Sequence, residues 1–381
     1  MRFPGKSKRQ RITVIRRNPD KEQMRNRRRT LLALSVCLFW SAIGLPPSAF
    51  AVLPSTTEGY LSADDGVRLF YTTVGNGPET LVMVHGGPGN SLESLLPDMG
   101  PLAENHTVIY YDQRGNGRSE LLDDPRQLTI DKHVQDLEAV RRHFQLDKMS
   151  LLGNSWGGLL AGFYAIAHPE RVERLILHSP ASPSFRLLSD STGYIYQRIP
   201  DAQKKKFNAI SYPEQWINSR DPRKLCREFY DILKPVYFSD PGKAAAMKGD
   251  TCAGPEEAIR RQQLVNKQIW VSLGDWDIQP ALREMHFPAL VIHGRDDMIP
   301  VDSSLAWAAA MPDARLLIID SGHMTHIEQP DVFFPAVRRF LAGEWPQEAE
   351  TVRERGPGFP GIFNSTTTGE VPLFPHLPPS P

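Results

Sequence analysis

A glycine-flanked serine between a strand pattern and a helix pattern constrains this chain more than any other feature. The short apolar run that begins at Met149 predicts a buried strand, and the apolar and small residues after Gly158 predict a buried helix. Between them lies the pentapeptide GNSWG at 153–157, typical of a turn so tight that neighbouring positions require glycine. Such a turn exposes the serine hydroxyl, so Ser155 is the candidate nucleophile. The pentapeptide alone would also fit an ordinary glycine-lined turn.

Strand patterns alternate with helical patterns along most of the chain. Two short alternating runs between residues 58 and 75 predict an antiparallel hairpin at the edge of a sheet. Residues 131–146 have helical spacing, and continuous apolar runs predict buried strands at 79–84, 107–112, 172–178, 288–293 and 314–319. The alternation predicts an α/β fold, with a mostly parallel sheet and helices on both faces.

This alternation is interrupted between about residues 181 and 285, where the sequence is polar, aromatic and helix-prone. Because the core pattern resumes directly afterwards, we interpret the insertion as a helical cap over the active site and not as an unrelated second domain. The predicted core therefore has two parts, 52–181 and 286–343, separated by a cap at 182–285. Residues 344–381 are rich in Pro, Gly, Ser and Thr and predict a disordered tail.

Residues 1–51 have the three parts of an export signal. A basic region precedes the apolar run Leu31–Leu45, which is short for a bilayer span, and the small-residue sequence Ala49-Phe50-Ala51 follows. We predict cleavage after Ala51, export to the periplasm or the medium, and no stable membrane insertion after the signal is removed. An uncleaved N-terminal anchor is the alternative.

Charge and cysteine content limit the partners of the remaining chain. Twelve of the 44 basic residues and two of the 44 acidic residues lie in 1–51, so the remainder has a net charge of about −10, which argues against nucleic acid binding. We expect no metal and no cofactor, since no C-x-x-C motif or paired histidine cluster is present. Outside the signal only Cys226 and Cys252 remain, either as one disulfide or as two buried thiols.

An aspartate and a histidine follow the last two predicted strands. Asp297 comes shortly after the strand at 288–293, where a carboxylate can hold a histidine in the useful tautomer; Asp296 is the alternative. His323 follows the strand at 314–319 and is the candidate general base, with His326 as the alternative. We expect His85 and His178 to be structural or solvated.

Two glycine-containing loops follow earlier strands. HGGPG at 85–89 comes directly after the strand at 79–84 and could aim backbone N–H groups at one point, or form a plain Gly-Pro turn. The second, QRGNGRS at 113–119, lacks the helix and third glycine of a phosphate loop, so we interpret it as a structured loop at the mouth of the site.

The order serine, aspartate, histidine, each after its own strand, is that of the α/β hydrolases. Across residues 60–343 the chain resembles this superfamily and, within it, the proline iminopeptidase (prolyl aminopeptidase) family. The resemblance rests on HGGPG at 85–89, DQRGNGRS at 112–119 and GNSWG at 153–157. It implies a triad of Ser155, Asp297 and His323, with an oxyanion hole formed by the backbone N–H groups of Gly87 and Trp156.

The resemblance also implies an activity: a serine aminopeptidase that releases an N-terminal residue, often proline, from short peptides. One departure is Asn154, which stands where the family usually has glycine. The family binds the substrate amine with cap carboxylates, for which the candidates by location are Glu214, Glu228, Glu256 and Glu257. A carboxylesterase or lactonase acting on small esters is the alternative. An inactive fold that serves as a binding module would lack part of the triad or the oxyanion loop, and neither is missing.

Overall fold

An eight-stranded sheet runs through the centre of the part of the chain that the computed structural model describes, residues 55–352 without the side chains of 190–193. The predicted export signal lies outside the described residues. The strands are β1 Thr56–Ser62, β2 Arg68–Val74, β3 Glu79–Val84, β4 His106–Tyr111, β5 Met149–Asn154, β6 Val172–His178, β7 Ala289–Gly294 and β8 Ala314–Ile319. Their order in the sheet is β1-β2-β4-β3-β5-β6-β7-β8.

Six neighbouring strands are parallel. β1 pairs antiparallel with β2, and β2 pairs antiparallel with β4, whereas β4, β3, β5, β6, β7 and β8 run in one direction. The predicted edge hairpin and mostly parallel sheet are confirmed. Because parallel strands point their carboxyl ends the same way, the residues that follow β3, β5, β7 and β8 meet at one edge of the sheet.

Both faces of the sheet are buried, which explains why the central strands are continuously apolar. Along β3, Val82 and Val84 belong to the hydrophobic cluster on one face, and Leu81 and Met83 belong to the cluster on the other. The α-helices of the described residues are α1 Ile130–His143, α2 Trp156–Ala167, α3 Phe185–Arg198, α4 Asp201–Ile210, α5 Pro213–Ile217, α6 Pro222–Leu233, α7 Glu256–Leu273, α8 Gln279–Leu282, α9 Val301–Ala310, α10 Thr325–Glu328 and α11 Pro330–Leu341. None of the helices in residues 55–352 is long and apolar enough to cross a bilayer.

The segment between β6 and β7, which we call the cap, is helical and contains α3 to α8. Its own apolar cluster includes the buried Trp216 and Phe229. Cys226 of α6 and Cys252 form a disulfide, with 5.9 Å between their Cα atoms, which decides between the two alternatives left by the sequence. The disulfide ties α6 to the segment that leads into α7.

The predicted tail does not begin at residue 344. Trp345 packs against Phe340, Ala349 is buried, and Glu350 exchanges two backbone hydrogen bonds with Leu316. β8 is the last strand of the sheet and has unpaired backbone groups along its outer side, so residues before 352 satisfy some of them. Residues 353–381 lie outside the described part of the chain.

Candidate active site

Ser155 occupies a strained turn between β5 and α2. Its backbone has φ 56° and ψ −119°, a left-handed region that costs a non-glycine residue about 1–3 kcal/mol. The neighbouring glycines permit the turn: a Cβ on Gly153 would lie 2.3 Å from the Gly157 carbonyl oxygen, and one on Gly157 would lie 2.1 Å from the Val84 carbonyl oxygen. The backbone N–H of Ser155 donates to the His178 carbonyl. The surrounding structure therefore holds the serine in a conformation it would not adopt alone.

Asp297 and His323 form a buried pair, with 2.8 Å between Asp297 Oδ1 and His323 Nδ1. The backbone N–H of Ile299 donates to the same carboxylate oxygen, and that of His323 donates to the Tyr237 carbonyl. Burial alone would raise the pKa of Asp297, but the charge and hydrogen bond of His323 outweigh it and lower this pKa. An ionised Asp297 accepts a hydrogen bond from Nδ1–H of His323, which leaves the Nε2 lone pair free to accept a proton.

The alternative residues lie elsewhere. Asp296 is exposed, and its carboxylate accepts a hydrogen bond from the Ser239 hydroxyl. His326 is buried with its ring 5.1 Å from that of His178, and burial lowers the pKa of His326 to about 3. The structure thus joins the aspartate and histidine that the sequence favoured.

The loop at 85–89 lies beside Ser155. A Cβ on Gly86 would be 3.2 Å from the Ser155 Cβ, a crowded position, and Gly87 has φ 124°, which favours glycine. Trp156 is the first residue of α2, and its backbone N–H has no acceptor within the helix. Gly87, Ser155 and Trp156 line the same cavity, so two candidate oxyanion donors and the serine open into one space.

Gln113 connects these two donor segments, a role that sequence reasoning missed. Its side-chain amide donates to the His85 carbonyl, 2.9 Å away, and its amide oxygen accepts from the Trp156 indole, also at 2.9 Å. The backbone N–H of Gln113 points to His85 Nε2. Burial lowers the pKa of His85 to about 4, which keeps that imidazole neutral and able to accept. The sequence signal was its place in the motif at 112–119, two residues after the end of β4.

The remainder of the loop at 113–119 is interior, so its predicted position at the mouth of the site is wrong. Asp112 accepts backbone hydrogen bonds from Leu92 and Arg118, and Arg114 forms ion pairs with Asp136 and Asp65. Burial raises the pKa of Asp112 to about 6. Buried charged groups require partners, and the partners of Asp112 and Arg114 lie in the interior. The loop therefore lies in the core below the site.

Asn154, the departure from the family pattern, is buried between strand ends. Its amide lies 3.1 Å from Nδ1 of His178, whose Nε2 lies 2.7 Å from the Thr325 hydroxyl. The side chain therefore joins the ends of β5 and β6 to the segment after β8. His85 and His178 are both structural, as expected.

Glu328 links the histidine loop to the cap. Its buried carboxylate accepts hydrogen bonds from the backbone N–H groups of Gly322, Ser239 and Asp240. The first of these precedes His323, and the other two belong to the cap after α6. No sequence motif indicates this contact.

The cavity that Ser155 faces has a volume of about 210 Å³ and is closed on one side by the cap. Its walls are largely apolar, with Leu188, Ile195, Phe207, Phe229, Leu233, Met247, Trp270, Met298 and Ile299. Among the lining side chains that the structure describes, Lys267 is the one from the Lys, Arg, Asp and Glu group. The small volume suits a small substrate and not a folded chain.

None of the four candidate glutamates is a lining residue. Glu228 pairs with Lys206 at 3.1 Å, and Glu256 and Glu257 pair with arginines of their own helix. Glu214 is exposed at the start of α5. Sequence position placed these residues in the cap, but the faces of the helices turn them away from the cavity.

The parallel sheet, the serine turn at the end of β5 and the Asp–His pair after β7 and β8 together define a hydrolase of the α/β class. The chain belongs to the alpha/beta hydrolase fold family, whose model matches residues 79–330.

The sequence relatives of this chain include several proline iminopeptidases. Proline iminopeptidase of Lactobacillus helveticus is 30% identical over 292 residues, which are 72% of this chain and 95% of that protein. The enzyme of the same name from Heyndrickxia coagulans is 27% identical over 295 residues, 75% and 98% of the two chains. The resemblance to proline iminopeptidases is confirmed.

Solved structures agree on the fold. A crystal structure of proline iminopeptidase from Mycobacterium smegmatis has a TM-score of 0.56 at 23% identity and covers 75% of this chain and 98% of its own. An esterase from Exiguobacterium antarcticum has a TM-score of 0.55 at 19% identity and covers 75% and 100%.

Proposed function

We propose that this hydrolase is a serine enzyme that cleaves a small amide or ester through an acyl-enzyme on Ser155. The observation that carries the proposal is the buried 2.8 Å contact between His323 and Asp297, together with a strained Ser155 that lines the same cavity as His323. A histidine held in one tautomer that opens into the same cavity as a serine is the arrangement that activates a hydroxyl nucleophile.

The proposed reaction has two steps. Nε2 of His323 takes the proton of Ser155 Oγ, Oγ bonds to the substrate carbonyl carbon, and the proton passes to the leaving amine or alcohol as its bond breaks. Water then attacks the acyl-enzyme with the same histidine as base and releases the acid. The backbone N–H groups of Gly87 and Trp156 stabilise the oxyanion in both steps, and one such donor is typically worth about a hundredfold to a thousandfold in rate.

Two substrate classes remain as proposals. The iminopeptidase relatives support an aminopeptidase that releases N-terminal residues, proline among them, from short peptides. A second candidate is an esterase or lactonase, favoured because none of the four cap glutamates lines the cavity while Lys267 does.

Hydrolysis assays test both. We would measure release from L-prolyl and other aminoacyl arylamides, the same compounds with blocked amines, and simple aryl esters. Cleavage only of free-amine arylamides would support the peptidase, and cleavage only of esters would support the alternative. Ser155→Ala should lower turnover by about a millionfold, as in one well-studied serine protease, and retention of more than about 1% would refute the nucleophile. Ser189→Ala, an exposed cap serine, is the control.

We also propose that the protein acts after export. The Cys226–Cys252 disulfide supports an oxidising compartment. Sequencing the N-terminus of exported material would test cleavage after Ala51, and recovery of residues before that position would contradict it.

A further inference from the structure

We propose that the cavity selects substrates that carry a single carboxylate, which Lys267 binds, on an otherwise apolar small ester or amide. This inference rests on the proposed serine hydrolase function and names its substrate class. It concerns a residue that the sequence did not single out, on the helix that covers the serine.

One face of α7 forms part of the cavity wall. Gln263, Asn266, Lys267 and Trp270, at helical spacing, all line it. The helix is anchored directly to the oxyanion loop: the Asn266 amide donates to the Pro88 carbonyl at 2.9 Å. A Cβ on Gly89 would lie 2.5 Å from the Gln262 carbonyl oxygen, so the loop and the helix are in close contact. Lys267 is therefore held next to the group that anchors the candidate oxyanion donors.

The charge of Lys267 is available to a ligand. The two arginines of α7 are committed elsewhere, Arg260 to Glu256 and Glu257, and Arg261 to Glu257 and Asp123. The side chain of Lys267, in contrast, forms neither an ion pair nor a hydrogen bond with any of residues 55–352 outside the 190–193 side chains. It is half-buried, so its ammonium is less screened than that of a surface lysine.

The sign of the charge selects the ligand. Apart from His323, the other polar lining side chains are neutral amides and hydroxyls, such as Asn90, Gln263 and Thr251. A substrate ammonium would meet like charge in a partly desolvated space, whereas a carboxylate would gain an opposite charge and amide donors. One lysine balances one carboxylate, while a dianionic phosphate would leave a charge uncompensated.

The apolar wall defines the rest of the substrate. Leu188, Ile195, Phe207 and Phe229 are cap side chains that contribute to it. A short methylene chain or ring, placed between the reacting carbonyl and the carboxylate, would bury its apolar surface there. Half-esters of medium-length dicarboxylic acids and acyl esters of hydroxybenzoates both have this arrangement.

Matched substrates test the proposal with the full protein. One series has 4-nitrophenyl esters of equal acyl length that end in a carboxylate, a methyl ester or an ammonium: hydrogen adipate, methyl adipate and 6-aminohexanoate. A second series moves the charge to the leaving group, with 4-acetoxybenzoate against 4-acetoxybenzamide. We would measure kcat/KM after subtracting spontaneous hydrolysis.

In at least one series we expect the anion to exceed its neutral analogue by about tenfold to a hundredfold, the usual worth of a hydrogen bond to a charged group. Lys267→Met should abolish this ratio, mainly through KM, and Lys267→Glu should invert it in favour of the ammonium ester. Lys205→Met removes an exposed lysine of α4 and should leave the ratio unchanged. Equal ratios in wild type and Lys267→Met in both series would overturn the proposal.

A binding measurement separates this inference from the proposed function. Calorimetry should show that Ser155→Ala binds monomethyl adipate more tightly than dimethyl adipate. The double variant Ser155→Ala/Lys267→Met should bind the two compounds with equal affinity. If that difference holds but turnover does not depend on Ser155, the serine mechanism fails and carboxylate selection stands. If turnover depends on Ser155 but neither binding nor ratio responds to Lys267, carboxylate selection fails.

Discussion

The carboxyl edge of the sheet and the cap contribute to the same cavity by different means. At the sheet edge, Ser155, Asp297 and His323 each follow a buried strand, and backbone hydrogen bonds fix the turns that carry them. In the cap, the lining depends on which face of each helix turns inward, as for Lys267 on α7. Reactive groups are thus fixed by topology, and recognition groups by helix packing.

The largest expected effect comes from a comparison of two adjacent aspartates, Asp297 and Asp296. Asp297→Asn should lower kcat by about ten-thousandfold, the loss seen when a triad aspartate no longer holds the histidine tautomer. Asp296→Asn, one residue earlier and exposed, should retain kcat within a few-fold. Steady-state assays on a common aryl ester give both values. Equal losses in the two variants would show that His323 is not positioned by Asp297.

Acid should destabilise the folded protein through its buried histidines. Burial lowers the pKa values of His85, His133, His178 and His326, so the unfolded chain binds protons that the folded chain does not. The free energy of unfolding should therefore increase as the pH rises to about 6.5, and it should decrease as the pH falls below that value. One such histidine accounts for about 1.6 kcal/mol between pH 6.5 and pH 5.

Urea unfolding from pH 5 to pH 8 measures this slope. His286→Gln, an exposed histidine, should leave the slope unchanged. A free energy of unfolding that does not vary across this range would contradict the assignment of neutral buried imidazoles.

Gln113 tests the sheet edge at smaller scale. Gln113→Glu keeps an acceptor for the Trp156 indole but loses the donor to the His85 carbonyl. The two segments that carry the oxyanion donors should therefore be held together less firmly. We expect kcat to fall by roughly tenfold, less than removal of an oxyanion donor itself, with KM nearly constant. Gln268→Glu on α7 is the control, because Gln268 does not line the cavity. A change in KM alone would instead indicate a role in binding.

The smallest effect should come from the cap. In Cys226→Ser/Cys252→Ser the segment that includes Met247 and Thr251, both lining residues, loses its tie to α6. KM should rise by less than about tenfold, which corresponds to about 1.4 kcal/mol of binding energy, while kcat on a small ester stays close to the wild-type value. A fall in kcat larger than the rise in KM would show that the cap also shapes the reacting centre.

Sequence patterns predicted the sheet region closely because they act locally. The apolar run at 79–84 coincides with β3, and Gly153 is required by contacts within a few residues of the serine. The aspartate and histidine could be assigned because residues just past neighbouring parallel strands lie at the same edge of the sheet. Asn154 was noted as a departure, but its bonds to His178 depend on a strand that arrives later in the chain.

The failures share a cause. Whether Glu228 or Lys267 faces the cavity depends on how the cap helices rotate against one another, which local patterns do not encode. The role of Gln113 needs three distant segments to meet, and residues 344–352 are ordered because β8 happens to be the edge strand. Each of these features is set by tertiary contacts.

Glu328 bears on how caps can be exchanged among enzymes of this fold. Since one carboxylate holds both the turn before His323 and the backbone of Ser239 and Asp240, the segment after α6 helps to position the general base. A chimera that replaced the whole insertion would remove two of the three donors and loosen the general base along with the pocket. Grafts that retain residues 237–240 should keep the host's chemistry while importing another protein's selectivity.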